Sequence, residues 1–450
     1  MVRQRVRQPL FSHLPWAFRW WILRLAERYS ERQEAEANAS LQIHESNESA
    51  DRFTCNLWAY VATIGELNLA DRFLRRLSDA MPGSRLILLT DRALYVEAYR
   101  RKFPQAVVAV TDGRTPHTRE LLRKFPPTQL VIVEIPCWPA DAPCRLRYPL
   151  PALVARQGTP VALVNAWTYG YSPASRLEAL ESALFNLDFL RTPRLITAQT
   201  EEVREKLLAE GARPERVFVT GNMKFDGLAE LAAKNAAPRA DSAIESLSSG
   251  GRPCIVAGCI AEFDEQEAVV CAYATVRESI PPARLIIAPR HPENAERMTH
   301  LARLLDAHRL TWTRRSEHGT APLPAECDCL VIDTFGELVR FYAAAEVAFV
   351  GRDHNVLEPL AFDVPVTVLS GWEPTFPSFP VYSILSQRGA LHESRDHAGL
   401  AANWLRFLRS PAPVSEKAWL ADLAGATDRN LTAVLGLVSL TARRGERAAQ

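Results

Sequence analysis

From residue 55 onward, short runs of β-branched and apolar residues alternate with segments whose apolar residues recur every three or four positions. The runs have the length and composition of buried strands, and the segments between them have the spacing of amphipathic helices. In the first half of the chain, strands are predicted at residues 57–63, 85–90, 106–111, 129–135, 160–165, 195–199 and 217–220. Strands that alternate with helices predict a mainly parallel sheet with helices on both faces.

The second half of the chain repeats this pattern, with strands predicted at residues 254–257, 285–288, 310–313, 329–332, 347–350 and 364–369. Between the halves, residues 228–252 have little β character and end in Ser-Ser-Gly-Gly, which is typical of a linker. The predicted fold class is therefore α/β, with two Rossmann-like doubly wound lobes at residues 51–227 and 253–412. Helices follow over residues 413–450. Ligands of such folds bind at the carboxyl ends of the strands.

The first 30 residues have a different character, since residues 1–28 contain six arginines and one acid, Glu27. Apolar side chains recur along one face of a predicted helix, at Leu14, Phe18, Trp21, Ile22, Leu25 and Tyr29. A membrane-spanning helix needs about 20 apolar residues, and Arg19 and Arg24 interrupt this run. The pattern predicts a basic amphipathic helix on an anionic membrane surface. The alternative is a helix packed on the protein's own core. Residues 31–50 are polar and predict a linker.

Bulk composition excludes several classes of protein. Of the 450 residues, 47% are hydrophobic and 23% are charged, as in globular proteins. A formal net charge of +1 gives no overall field that would attract nucleic acid. Eight cysteines form no CxxC pair, which fits a reducing cytoplasm. The sequence also contains no DxD, HExxH or GxxxxGKS/T motif, so it predicts no metal site.

Two strand ends in the first half carry candidate chemistry. In Thr63-Ile64-Gly65-Glu66 a strand ends and a helix begins, and Glu66 lies in the first turn of that helix. Its carboxylate could be a helix cap or a functional group. In the second segment, Gly221 forms a turn that presents Asn222 and Lys224, and such a turn suits an anionic ligand.

Three further strand ends lie in the second half. Prolines on both sides of Arg290-His291 stiffen that turn and favour contact with a ligand. The segment 333–338 (DTFGEL) begins a helix, and its free amides at Phe335 and Gly336 predict an anion site. After residues 347–350, Asn355 and Glu358 could form a capping pair, or Glu358 could hold ribose hydroxyls.

Taken together, these segments resemble the bacterial lipid A Kdo (3-deoxy-D-manno-octulosonic acid) transferases. The motifs that carry the resemblance are TIGE (63–66), GNMKFD (221–226), APRHPE (288–293), DTFGEL (333–338) and HNVLEP (354–359). The resemblance implies a GT-B glycosyltransferase that is inverting, metal-independent and without a cofactor. It implies transfer of Kdo or a related sugar acid from a CMP-sugar to a lipid A precursor or a similar lipid acceptor. It also implies a peripheral or monotopic location at the cytoplasmic face of the inner membrane.

The same resemblance implies roles for single residues. Glu66 would be the general base for the acceptor hydroxyl, Lys224 would stabilise charge in the transition state, and Glu134 would be a further catalytic acid. The residues implied for the nucleotide are Asn222, Pro289, Arg290, Phe335, Gly336, Glu337, Asn355, Val356, Leu357 and Glu358. Cationic side chains and helix amides can stabilise an anionic leaving group in place of a metal.

The chain departs from the family pattern at three loops. Where the family has an ETELWP-like strand end, this chain reads EIPCWP (134–139), so Glu134 is kept and proline replaces the second acid. The family's GSTHEGE-like loop reads GCIAEFDE (258–265), and tryptophan replaces the arginine of an NARxS-like stretch at Asn165-Ala166-Trp167. These losses suggest a divergent member with another acceptor or sugar.

Two alternatives stay open from the sequence. A nucleotide-sugar epimerase shares the two-lobe fold, but it would need a UDP site and the basic N-terminus argues against it. A non-catalytic paralogue would bind nucleotide or lipid only. The retention of both Glu66 and Lys224 argues against a protein that only binds, whereas the missing acid in 134–139 argues for one.

Overall fold

The computed structural model describes residues 11, 13–33, 41–45, 52–134, 146–167, 175–228, 231–232, 241–249, 252–334, 336–374, 376, 378–410 and 418–449. The chain divides into two compact units. Unit 1 comprises Met1–Asp226 together with Leu423–Gln450, and unit 2 comprises Gly227–Asp422. Each unit is a sheet covered by helices, which confirms the two-lobe α/β fold predicted from the sequence.

Within the described residues, unit 1 contains an eight-stranded sheet in the order β1-β4-β3-β2-β5-β6-β7-β8. Its strands are β1 (Gln42–His44), β2 (Cys55–Tyr60), β3 (Ser84–Thr90), β4 (Val107–Val110), β5 (Pro127–Val133), β6 (Val161–Ala166), β7 (Leu195–Ala198) and β8 (Val217–Val219). Neighbouring strands are parallel except for β1, which pairs antiparallel with β4. The carboxyl ends of β2 and of β5 through β8 therefore lie along one edge of the sheet.

Unit 2 contains a seven-stranded sheet in the order β11-β12-β10-β9-β13-β14-β15, with all pairs parallel. Its strands are β9 (Cys254–Ile260), β10 (Arg284–Pro289), β11 (Trp312–Arg314), β12 (Cys329–Val331), β13 (Val347–Val350), β14 (Val366–Leu369) and β15 (Leu391–Ser394). The central strands are buried on both faces, as expected where helices cover a parallel sheet from both sides.

The helices, in chain order, are α1 (Trp16–Gln33), α2 (Ile64–Ala80), α3 (Val96–Lys102), α4 (Thr115–Lys124), α5 (Pro149–Arg156), α6 (Arg176–Arg191), α7 (Glu201–Ala209), α8 (Ser242–Ser249), α9 (Phe263–Ser279), α10 (Ala295–Ala307), α11 (Arg315–His318), α12 (Leu338–Tyr342), α13 (Leu357–Leu360), α14 (Phe379–Gln387), α15 (His397–Arg409), α16 (Ala418–Leu423) and α17 (Ala426–Ala449). Short 3-10 helices lie at Ala93–Tyr95, Pro214–Arg216 and Met223–Phe225. Helix α2 is amphipathic, and the apolar residues on its buried face recur at helical spacing: Leu67, Ala70, Leu74 and Leu77.

Three elements differ from the sequence expectation. The segment 31–50 was expected to be a linker, but Gln42–His44 forms the edge strand β1. The strand β15 was not predicted, since its sequence, LHES, has little β character. The C-terminal helix α17 belongs to unit 1 although unit 2 precedes it in the chain. Pairing with β4 and β14 supplies the backbone hydrogen bonds that the two short strands need.

Helix α1 has one face packed on unit 1 and another that is exposed. On the packed face, Leu23 is fully buried, Arg19 binds the carboxylate of Asp188, and Glu27 pairs with Arg147 at 3.4 Å. This face of α1 is therefore packed on the core of unit 1, which agrees with the alternative prediction. Removing Arg19 or Glu27 would leave a buried charged partner unpaired.

The exposed face of α1 is the apolar stripe noted in the sequence. Phe18, Trp21, Leu25 and Tyr29 are between 44% and 65% exposed, whereas Leu14 and Ile22 are partly buried. The membrane-surface role of this stripe stays a prediction, whereas the opposite face of α1 is packed on unit 1. In the described part of the chain, no helix is both long enough and apolar enough to span a membrane.

Candidate functional site

Unit 1 gathers polar side chains at the carboxyl edge of its sheet. Glu66 follows β2, Glu134 follows β5, Asn165 is near the end of β6, Gln199 follows β7, and Lys224 follows β8. These strands are consecutive neighbours in the sheet, so residues that are up to 158 positions apart in the sequence meet at one edge. The sequence predicted Glu66, Glu134 and Lys224, and the structure brings these three together.

Glu66 caps helix α2 with its own carboxylate. Its Oε2 accepts hydrogen bonds from the backbone N–H of Ala62 at 2.7 Å and of Thr63 at 3.2 Å, while Thr63 Oγ1 accepts from the Glu66 N–H at 3.2 Å. This is a capping box, which satisfies amides that the helix cannot satisfy itself. The capping interpretation of Glu66 is thus correct as geometry, and it does not exclude a chemical role.

The same carboxyl group has a strongly perturbed acidity. Burial, together with the nearby charge of Glu134, raises the pKa of Glu66 to about 8, although the two amides and Lys224 oppose that rise. A carboxyl group with a pKa near neutrality can exchange its proton at physiological pH. Such perturbed groups concentrate at functional sites.

Glu134 is held by a set of donors that converge on one oxygen. Its Oε1 pairs with Lys224 Nζ at 3.2 Å and accepts from Asn165 Nδ2 at 3.0 Å and Gln199 Nε2 at 3.2 Å. Glu134 and Asn165 both have a positive φ, of 59° and 54°, which is uncommon for residues other than glycine. Strained backbone of this kind is found where a side chain must be aimed in one direction.

Asn222, which was predicted to bind nucleotide, belongs to this network of unit 1. Its Nδ2 donates to Gln199 Oε1 at 2.8 Å, and its Oδ1 accepts from the N–H of Lys224 at 2.9 Å. Asn222 is buried, while the Lys224 side chain is 31% exposed. The amide of Asn222 therefore shapes the turn that presents the lysine.

In unit 2, predicted residues follow the ends of strands β10 and β13. Pro289 ends β10 and Arg290 follows it, whereas Asn355, Val356, Leu357 and Glu358 follow β13. Strand β9 lies between these two strands, and Cys259 near its end is within electrostatic range of both Arg290 and Glu358. The structure thus brings Arg290 and the 355–358 segment to one region of unit 2.

Glu358 and His354 have perturbed acidities in this region. Burial raises the pKa of Glu358, and Asn355 Nδ2 donates to its Oε1 at 3.2 Å. Burial and the neighbouring Arg290 lower the pKa of His354 to about 4, so its ring is neutral at physiological pH. Its Nδ1 lies 2.6 Å from the Arg352 carbonyl oxygen and must donate to it, which leaves Nε2 as an acceptor.

Glu337, one of the predicted residues after β12, belongs to an ion-pair cluster of its own in unit 2. Glu337 pairs with Arg315, with Nη2–Oε2 at 2.8 Å, and Arg315 also pairs with Asp241 at 2.6 Å. The Thr334 hydroxyl also donates to Glu337. Gly336 has a φ of 84° and is exposed, whereas Phe335 lies outside the described residues. The carboxylate of Glu337 is therefore already bound to the protein's own side chains.

Three functional candidates were not singled out from the sequence. The sequence places Asn165 and Gln199 at the ends of predicted buried strands, and a polar residue that ends an apolar strand is itself a signal of function. Glu265 is fully buried and accepts from the N–H of Arg352 at 2.8 Å, which ties the start of α9 to the loop after β13. Burial raises the pKa of Glu265. Residues 135–145, which include the changed EIPCWP strand end beyond Glu134, lie outside the described residues.

Among the described residues, no three side chains of His, Cys, Asp or Glu are grouped so that they could hold a metal ion. The groups that cluster at the two sheet edges are instead carboxylates, amides and the cations Lys224 and Arg290.

The fold resembles those of a UDP-GlcNAc 2-epimerase and of a glycosyltransferase. The structure of UDP-GlcNAc 2-epimerase from Neisseria meningitidis bound to UDP-GlcNAc is 14% identical and covers 85% of this chain and 100% of its own, with a TM-score of 0.57. A glycosyltransferase from Rickettsia africae is 9% identical and covers 86% of this chain and 98% of its own, with a TM-score of 0.54. Two doubly wound α/β units with functional groups at the strand ends define a GT-B type of protein.

The sequence comparisons find similarity to one family of transferases. The family model described as 3-deoxy-D-manno-octulosonic-acid transferase (kdotransferase) matches residues 24–227. A 3-deoxy-D-manno-octulosonic acid transferase from Bordetella pertussis is 29% identical over 409 residues, which is 84% of this chain and 86% of that protein. The enzyme of the same name from Aquifex aeolicus is 27% identical, over 69% of this chain and 74% of its own. Over the residues that these comparisons cover, the chain is similar to the Kdo transferases, which supports its assignment as a glycosyltransferase.

The acidity of Glu66 predicts how stability depends on pH. Between pH 4.5 and about 8, folded Glu66 keeps a proton that the unfolded chain has lost, so stability falls as pH rises through that window. The slope is about 1.4 kcal/mol per pH unit. Glu66→Gln retains an oxygen for the two capping amides and carries no charge. We therefore expect the melting temperature of Glu66→Gln, relative to that of the wild type, to increase as pH rises from 5 to 8. Circular dichroism measures both melting temperatures. A difference that stays constant over this range would contradict the raised pKa.

Proposed function

We propose that this protein transfers Kdo, or a related sugar acid, from a CMP-sugar to a hydroxyl of a lipid A precursor or a similar lipid acceptor. The reaction is a single displacement that inverts the anomeric centre and uses no metal. The observation that carries this proposal is the buried carboxyl of Glu66, with a pKa near 8, beside the Glu134–Lys224 ion pair. The family relatives named as Kdo transferases support the choice of sugar.

In the proposed step, Glu66 takes the proton of the acceptor hydroxyl while the oxygen forms a bond to the anomeric carbon. The bond from that carbon to the phosphate oxygen breaks, and CMP leaves with the electron pair. Negative charge on the phosphate grows as this bond breaks, and Lys224 supplies a cation for it. Glu134 holds the lysine ammonium at 3.2 Å, which limits the directions in which Lys224 can point.

Unit 2 binds the nucleotide in this proposal. Arg290 supplies positive charge for the phosphate, and Glu358 accepts hydrogen bonds from ribose hydroxyls. Asn355 Nδ2 already orients the Glu358 carboxylate. His354 Nε2, as a neutral acceptor beside Arg290, suits a hydroxyl or amino group of the donor. Glu337, whose carboxylate is bound to Arg315, acts by fixing the segment 336–338.

The proposed location is the cytoplasmic face of the inner membrane, with the chain bound peripherally. The exposed stripe of α1 supports this, because large aromatic and aliphatic side chains between 44% and 65% exposed favour insertion at a membrane interface. The opposite face of α1 is fixed to unit 1 by Arg19 and Glu27, so the stripe is held in one orientation.

A second candidate function is that of a nucleotide-sugar epimerase, which the fold similarity to UDP-GlcNAc 2-epimerases favours. Such similarity at 14% identity extends to the fold alone. The choice between CMP and UDP as ligand separates the two candidates.

The catalytic proposal predicts a large rate loss in Glu66→Gln, since the amide cannot accept a proton. Turnover should fall by about a hundredfold to ten-thousandfold, measured as sugar transfer from CMP-Kdo to a lipid A precursor in detergent. In the wild type, kcat/KM should rise with pH up to about 8, where Glu66 loses its proton.

The matched control is Glu178→Gln. Glu178 occupies the corresponding first-turn position of α6, its N–H is bound by the capping residue Ser175, and it is 7% exposed, as Glu66 is. Wild-type turnover in Glu66→Gln, or an equal loss in Glu178→Gln, would leave capping as the whole role of Glu66.

The nucleotide proposal predicts that CMP raises the melting temperature and that UDP raises it less, since ligand binding stabilises the folded state. Arg290→Ala should remove most of the CMP effect. Arg409→Ala, at an exposed arginine in the last turn of α15, should retain it. A larger response to UDP than to CMP would favour the epimerase candidate.

The membrane proposal predicts loss of vesicle binding in the double variant Phe18→Ser/Trp21→Ser. Burying a large apolar side chain contributes about 1.5–3 kcal/mol, so each loss should lower partitioning into anionic vesicles roughly tenfold or more. Leu94→Ser is the control, because Leu94 is 84% exposed but lies outside α1. Sedimentation with vesicles measures binding, and melting curves should show that all variants stay folded. Equal sedimentation of the double variant and the wild type would contradict the proposal.

A further inference from the structure

The C-terminal helix α17 contacts the strand ends that carry the unit 1 site. Asn430 is fully buried, and its Oδ1 accepts a hydrogen bond from Thr197 Oγ1 at 2.5 Å. Its Nδ2 donates to Thr220 Oγ1 at 3.0 Å and to the Ala426 carbonyl at 2.8 Å. One side chain of α17 thus bridges the ends of β7 and β8, and its polar atoms are all used within the protein.

Thr197 also forms a hydrogen bond with the backbone of β6. Its Oγ1 accepts from the N–H of Asn165 at 3.0 Å, and Thr197 is fully buried. Asn165 is the residue with a φ of 54° whose Nδ2 donates to Glu134 Oε1. A hydrogen bond to the N–H of Asn165 therefore helps to hold a strained backbone conformation that aims its side chain at Glu134.

The GNMKFD segment is divided between the site and α17. Asn222 and Lys224 face the Glu134 network. Asp226 instead accepts from the N–H groups of Gly425 and Thr427 at 2.6 and 2.5 Å, at the start of α17. A Cβ on Gly221 would lie 2.9 Å from Arg429 Nη2 and 3.4 Å from the Ala426 Cβ, so the glycine allows α17 to pack directly on this turn.

From this geometry we infer that Asn430 is a positioning residue for the transfer reaction. It acts through Thr197 and Asn165 on Glu134, and through Glu134 on Lys224. A residue 296 positions from Glu134 in the sequence thereby belongs to the same hydrogen-bonded network as the proposed catalytic groups. The predicted effect on reaction rate rests on the proposed function, whereas the hydrogen-bond network follows from the contacts given above.

The first experiment measures kcat and KM for CMP-Kdo in the full-length protein. Asn430→Ala and Thr197→Val, which keeps the shape of threonine without its hydroxyl, should each lower kcat by about tenfold to a hundredfold. KM for CMP-Kdo should stay within twofold, since the proposed nucleotide residues lie in unit 2. Thr197→Ser retains the hydroxyl and should recover most of the rate.

The control is Asp428→Ala on the same helix. Asp428 is exposed and forms an ion pair with Arg76 of α2. It therefore also links α17 to the rest of unit 1, but it does not contact Thr197 or Asn165. Its kcat should match the wild type. Wild-type kcat in Asn430→Ala, or equal losses in Asn430→Ala and Asp428→Ala, would overturn the inference.

The second experiment needs no activity. Residues in one hydrogen-bond network have non-additive effects on stability, whereas independent sites add. The melting-temperature losses of Asn430→Ala and Asn165→Ala should sum to more than the loss in the double variant. The losses of Asp428→Ala and Asn165→Ala should add. Additive losses for Asn430 and Asn165 would overturn the network, and an inactive wild-type protein would overturn the proposed function alone.

Discussion

The unit 1 site depends on two carboxyl groups that are buried close to each other. Burial and mutual repulsion both disfavour the charged form, so such groups persist only where donors and cations compensate them. Glu66 is compensated by the amides of Ala62 and Thr63, and Glu134 by Lys224 and the side-chain amides of Asn165 and Gln199. Burial, with a smaller contribution from the charge of Glu134, still raises the pKa of Glu66 to about 8. The acidity that suits Glu66 to act as a base thus results from the packing that destabilises it.

In both units, a glutamate in the first turn of the helix after a central strand accepts hydrogen bonds from the backbone N–H groups that precede that helix. In unit 2 the carboxylate of Glu265 accepts from the N–H groups of Ala261 and Glu262, as Glu66 does from Ala62 and Thr63 in unit 1. The surroundings separate the two roles. Glu265 also accepts from the N–H of Arg352 and so braces a loop, whereas Glu66 lies beside a second acid and a lysine.

The N-terminal and C-terminal helices both complete unit 1, and both do so through buried polar contacts. Helix α1 contributes Arg19 and Glu27, whose partners Asp188 and Arg147 follow much later in the chain. Helix α17 contributes Asn430, which joins the ends of β7 and β8. The buried face of α1 fixes the position of its exposed stripe, and α17 fixes the turn that presents Lys224. Two elements that look like extensions in the sequence are therefore parts of one unit.

The sequence by itself determined the alternation of strands and helices, the two α/β lobes and the motifs at the strand ends. It could do so because strand and helix periodicity, and turns that need glycine or proline, are local properties of the chain. Only the tertiary structure decided which strand ends are neighbours, and so it alone placed Asn165, Gln199 and Asn430 in the network around Glu134. The short strands β1 and β15 also formed only through pairing. The raised pKa of Glu66 could not be predicted from the sequence either, because burial and the distance between charges exist only once the chain has folded.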